Sequence, residues 1–143
     1  MKDLIESLED FTWENYKDIS DALVQFNEVE VETEMFRQAS IYSYYFGLMS
    51  FAKRKVGEAS VQLTRFMSKL RKEAKRDSSV KLTAKDLDDL VFADEQYTVR
   101  QNALDDATFK YEMLKGLVRA LEQKKDMLQQ ASANKREETK LYK

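Results

Sequence analysis

Residues 28–76 read EVEVETEMFR QASIYSYYFG LMSFAKRKVG EASVQLTRFM SKLRKEAKR. Within this stretch Met35, Tyr42, Met49, Val56, Leu63 and Leu70 recur every seven residues, and Tyr45, Ala52, Ala59 and Phe66 fall three residues after four of them. Apolar residues at that spacing form the a/d seam of a helix that packs lengthwise on another helix. The pattern predicts one long helix from Glu28 to Arg76. Gly47 and Gly57 lie inside it and are expected to permit close approach of a neighbour.

Turn formers follow at Asp77, Ser78 and Ser79, and the turn is expected to run to Leu82. Thr83 with Asp86 three residues on has the form of a capping box, opening a short helix to about Phe92. A second long helix is predicted to continue to about Arg136. Its seam is Tyr97, Leu104, Tyr111 and Val118 at one heptad position and Ala107, Leu114, Leu121 and Leu128 at the other. Whether residues 90–94 bend or stay helical is open at this level. Two matched seams joined by a short turn make an all-α fold, a long antiparallel coiled-coil-like helical hairpin with a short connecting helix.

Ahead of it, residues 1–27 read as an acidic, aromatic N-terminal arm. Asp3–Phe11 is expected to form a short helix, and Thr12 to cap the helix after it. Phe11, Trp13, Tyr16, Ile19, Leu23 and Phe26 supply apolar contacts. The hairpin domain is placed at 28–138, with a frayed tail at 139–143. Apolar residues outside the seam, among them Tyr44, Phe46, Phe51, Phe92 and Phe109, need cover from the arm or from another subunit, so homo-oligomerisation is expected.

Composition agrees with few, long elements: 143 residues hold three glycines and no proline. With neither cysteine nor histidine, disulfides, zinc–thiolate sites, a thiol nucleophile and the commonest general base are excluded. Asp86, Asp88 and Asp89, or Asp105 and Asp106, lack the loop glycine of a calcium site and read as exposed helix carboxylates. No metal, cofactor or catalytic residue is expected, and an enzyme is the least supported class. No apolar run is long enough for a bilayer, so the expected location is the cytoplasm.

The net charge of −2 conceals a segregation. Eleven acidic and two basic residues lie between Met1 and Phe36, and nine basic and two acidic ones between Lys53 and Arg76. Arg65, Lys69, Lys72 and Arg76 are spaced four, three and four, so they share one helix face, which Arg71 and Lys75 widen. Such a face suits phosphates, or else it is a solvated surface or the partner of the acidic arm. Tyr44 and Phe51 lie in heptad register with Arg65 and Lys72 and are candidates for base stacking or for a subunit contact. In the arm, Trp13 and Tyr16 are candidates for partner binding or for docking on the hairpin.

The order of these pieces resembles the UvsY family of recombination mediator proteins from T-even-like phages, over about Ile41 to Glu138. Ile41-Tyr42-Ser43 leads into the long basic helix; Leu82-Thr83-Ala84-Lys85-Asp86 follows the turn. The second helix carries Ala107-Thr108-Phe109-Lys110-Tyr111 and Leu114-Lys115-Gly116-Leu117, then Ala120 to Leu128. The resemblance implies a protein that binds single-stranded DNA, helps load a recombinase, helps displace the single-strand-binding protein and acts as a ring-like homo-oligomer in a bacterial host cytoplasm. It also implies a DNA contact by a Lys-x-Arg pair just before the turn, where Lys69-Leu70-Arg71 stands within one residue. The acidic arm has no counterpart in that pattern. The competing expectation is a non-enzymatic scaffold, adaptor or phage inhibitor acting through the arm.

Overall fold

A computed structural model describes residues 11–142. The elements are α1 (Trp13–Val24), a 3-10 turn (Glu28–Glu30), α2 (Val31–Asp77), α3 (Ala84–Ala93) and α4 (Glu95–Leu141). No strand occurs among the described residues. The expected Asp3–Phe11 helix lies outside them except for its last residue. α2 residue numbers rise as their α4 partners fall, from Glu34 beside Lys124 to Gln38 beside Leu121. The chain is an all-α helical hairpin.

Local signals set the helix ends. The Thr12 backbone N–H donates to Asn15 Oδ1 at 3.0 Å ahead of α1. Asn27 Oδ1 accepts from the Glu30 N–H at 2.9 Å and starts the 3-10 turn into α2. Residue 94 ends the ambiguity over 90–94: Asp94 is extended, and its carboxylate accepts the Gln96 N–H at 2.8 Å, so α3 stops and α4 starts there. α4 runs on through Leu141, past the expected end near Arg136. Its last turns are good helix formers, tied by Lys140–Glu137 at 3.6 Å and the Thr139 hydroxyl on the Lys135 carbonyl.

The chain forms two compact units, Met1–Phe51 with Lys110–Lys143, and Ala52–Phe109. In the first, Val31, Ile41 and Tyr45 of α2 meet Leu114, Leu117, Leu121 and Leu128 of α4, with Phe11 and Leu23 closing the core. Leu114, Leu121 and Leu128 are positions of the expected seam, and Leu117 is a buried addition to it. On α2 the seam is corrected: Met35 is exposed, and Tyr42 and Met49 are only half-buried. Here α2 faces two helices instead of one, because α1 also packs into the unit. Lys124, 1% exposed, shows this: its ammonium donates to the Leu23 carbonyl at the end of α1 and to Glu34 Oε2 of α2 at 2.9 Å. The inward arc of α2 therefore rotates toward Gln38, Ile41 and Tyr45.

The second unit keeps the expected seam, with Leu63 buried and Val56 and Leu70 half-buried, and adds Leu87 and Val91 from one face of α3. A Cβ placed on Gly47 or Gly57 would meet nothing within 4 Å among the described residues, so neither glycine serves close approach to them. Gly116 does have a neighbour: a Cβ there would lie 3.4 Å from the Tyr16 hydroxyl.

Candidate nucleic-acid interface

α2 presents its cations in the second unit, just before its end at Asp77. Beyond it, the Ser78 hydroxyl donates to the Val80 carbonyl at 2.7 Å and accepts the Val80 N–H at 3.2 Å, so the turn is closed locally. α3 then opens on the expected capping box. Thr83 Oγ1 accepts the Asp86 N–H at 3.1 Å, and Asp86 Oδ2 accepts the Thr83 N–H at 3.0 Å. These bonds to Thr83, first the backbone one and then that of the side chain, hold the Asp86 carboxyl below its ordinary value. A lowered folded-state pKa stabilises the folded chain above the unfolded-state value, and that contribution is lost as pH falls through the folded one. Melting measured between pH 6 and 2.5 should therefore show wild type more stable than Asp86→Asn at the upper end. The gap should close below about pH 4; a gap that stays constant would remove this role from the carboxylate.

Arg65, Lys69, Lys72 and Arg76 line one shallow groove with Thr64, Ser68 and Glu73. All four cations are exposed. Arg65, Lys69 and Lys72 have no carboxylate partner among the described residues, whereas Arg76 meets the adjacent Asp77 at 3.2 Å. A second groove shares Arg65, Lys69 and Glu73 and continues over Phe66 to Asp94 and Arg100. There the Arg100 guanidinium lies 4.6 Å from the Phe66 ring centroid, the geometry of a cation–π contact. Two edges of Arg65 and Lys69 therefore face grooves; the first has one carboxylate, Glu73, in its wall, and the second has Glu73 and Asp94.

The other cations expected at this face sit differently. Lys75 is exposed but lines neither groove. Arg71 is turned aside, with Nη2 bonded to Asp88 Oδ1 of α3 at 2.8 Å. Both side chains remain partly exposed, so this pair adds only about 0–1 kcal/mol to stability. The pair turns the Arg71 guanidinium toward α3. Asp88→Asn should leave the fold intact and release Arg71. If this face binds single-stranded DNA, affinity should then rise severalfold and the log–log salt slope steepen by about 0.7. An unchanged slope in a salt titration would mean that Arg71 makes no phosphate contact.

The aromatic candidates belong to the first unit. Tyr44 is half-buried and edge-on to Tyr45 at 5.2 Å, while Phe51 is half-exposed. In the arm, Trp13 is 64% exposed and stacks on Tyr16 at 5.9 Å. The arm docks through Phe11 and Leu23, which are buried, and through Tyr16 at Gly116, more than through Trp13. Sequence reading missed Arg100 and the exposure of Phe66 toward it. Phe66 fitted the seam and Arg100 stood alone on α4, so no local spacing linked them.

Among the described residues, no group of three or more acidic side chains is placed to hold a metal ion, and no helix is long and apolar enough to cross a membrane. Comparison of the chain with protein-family models, with curated proteins and with solved structures finds no match.

Proposed function

We propose that this protein binds single-stranded DNA and acts as a recombination mediator, helping to load a recombinase and to displace the single-strand-binding protein. The DNA-binding part rests on one observation above all: Arg65, Lys69 and Lys72 form an exposed row, without carboxylate partners among the described residues, in a chain whose net charge is −2. A cationic row that its own protein does not neutralise releases counterions when it meets a phosphate backbone. Arg100 on Phe66 offers a flat cationic surface beside the row, on which an unstacked base can lie. The mediator part, with its recombinase and ring-like assembly, rests on the resemblance of residues 41–138 to the UvsY family.

Fluorescence anisotropy of labelled single- and double-stranded oligonucleotides across a salt series tests the proposal. Preferential single-strand binding with a slope near −3, from about four phosphate contacts per chain, is the expected result. Absence of binding at low salt would overturn it and favour an adaptor acting through the acidic arm. Adding a recombinase and a single-strand-binding protein then tests the mediator role separately.

A further inference from the structure

We infer that the first unit carries a self-association face, on which a second copy of this chain packs antiparallel to the first. The inference is independent of DNA binding.

Among the described residues three helices build this unit, α1 with parts of α2 and α4. An open groove lies between Met35, Ala39 and Tyr42 of α2 and Glu122, Asp126 and Gln129 of α4. Its α2 wall continues a regular stripe: Met35, Ala39, Tyr42, Phe46 and Met49 are spaced four, three, four and three. That is an a/d seam, yet Met35 and Phe46 are 38% and 46% exposed, and Tyr42 and Met49 only half-buried. α2 thus has two seams in this unit, and the described residues of its own chain fill one. At the groove's edge the side chain of Gln38, 6% exposed, donates to the Leu121 carbonyl at 2.7 Å, while its Oε1 has no partner among the described residues.

Charge and size identify the occupant. α4 carries Lys115, Arg119, Glu122 and Asp126 at spacings of four, three and four, two cations followed by two anions. None of the four is ion-paired within the described residues: Lys115 lies 5.8 Å over the Tyr111 ring, and Glu122 accepts the Tyr42 hydroxyl at 2.9 Å. A sequence of two positive then two negative charges is complementary to itself when reversed. An antiparallel copy sets Lys115 against the partner copy's Asp126 and Arg119 against its Glu122. A parallel copy sets like against like. The α2 stripe has the same property. Reversed, it places Ala39 opposite the partner copy's Tyr42 and Met35 opposite its Phe46, a small residue against a large one at the centre. Such an interface is isologous and closes on itself as a pair.

Two experiments on the full chain decide this. First, Lys115→Glu with Arg119→Glu makes the α4 row wholly acidic, and Glu122→Lys with Asp126→Lys makes it wholly basic. Wild type should show a pair, or an even-numbered assembly of pairs, by light scattering. Each variant alone should lose the pairing while keeping its helical circular dichroism, and an equimolar mixture should regain it. A monomeric or odd-numbered wild type, or a mixture that stays unpaired, would overturn the inference. Second, the chain has no native cysteine, so Ala39→Cys and Tyr42→Cys can be mixed and oxidised. The mixed disulfide should exceed both homodimeric ones. Predominance of Ala39→Cys joined to itself, or no cross-link at all, would reject the antiparallel register.

Discussion

Lys124→Met is expected to cost about 3–5 kcal/mol, the typical cost of removing one member of a buried ion pair. Lys124 is 1% exposed and Glu34 is 13% exposed at the side chain, so little water reaches either group. Loss of the ammonium leaves the Glu34 carboxylate to the more distant Arg37, at 3.7 Å, and takes from the Leu23 carbonyl, near the end of α1, the donor that Lys124 supplies. Since small domains are stable by only about 5–15 kcal/mol, the variant should unfold at a much lower urea concentration, with α1 released first. The pair itself is not the source of net stability. Replacing both members, Lys124→Met with Glu34→Leu, should recover most of the loss, because no charge is then left buried alone. Urea titration of the three proteins separates these effects. A change below about 1 kcal/mol in the single variant would show that water enters the site and that the pair is effectively a surface one.

Arg65→Ala with Lys69→Ala should have the largest effect on the proposed DNA binding. These two residues line both grooves of the second unit, so their loss removes the shared wall. With two of about four phosphate contacts gone, the salt slope should relax from near −3 to about −1.5. Affinity at low salt should fall by at least tenfold, or about 1.4 kcal/mol. Both side chains are exposed and make no ion pair among the described residues, so stability should change little. The double variant therefore distinguishes a binding role from a structural one. Retained affinity with an unchanged slope would remove the basic row from the interface, whatever else the protein binds. Lys75→Ala is a suitable control, because Lys75 is exposed on the same helix but lines neither groove.

The sequence by itself determined the helices, the cap that opens α3 and the chemistry available to them. Heptad spacing is a property of neighbours three and four residues apart, so α2 and α4 were legible from their own stretches. The same holds for the Thr83–Asp86 cap and for the row Arg65, Lys69, Lys72 and Arg76, which one helix places on one face. The missing histidine and cysteine limited the chemistry without reference to any fold. Only the tertiary structure decided which face of each helix turns inward. Met35, Tyr42 and Met49 satisfied the seam rule together with Tyr45, yet Ile41 joins Tyr45 in the core while Met35 stays exposed, because α1 packs into the same unit. It also decided that Lys124 is buried, that Arg71 is turned to Asp88, and that Arg100 covers Phe66. These contacts join residues 101, 90, 83 and 17 positions apart, as for Lys124–Leu23, Lys124–Glu34, Gln38–Leu121 and Arg71–Asp88. Local propensity acts over about one helical turn, whereas which distant side chains meet is set by the packing of all the helices at once.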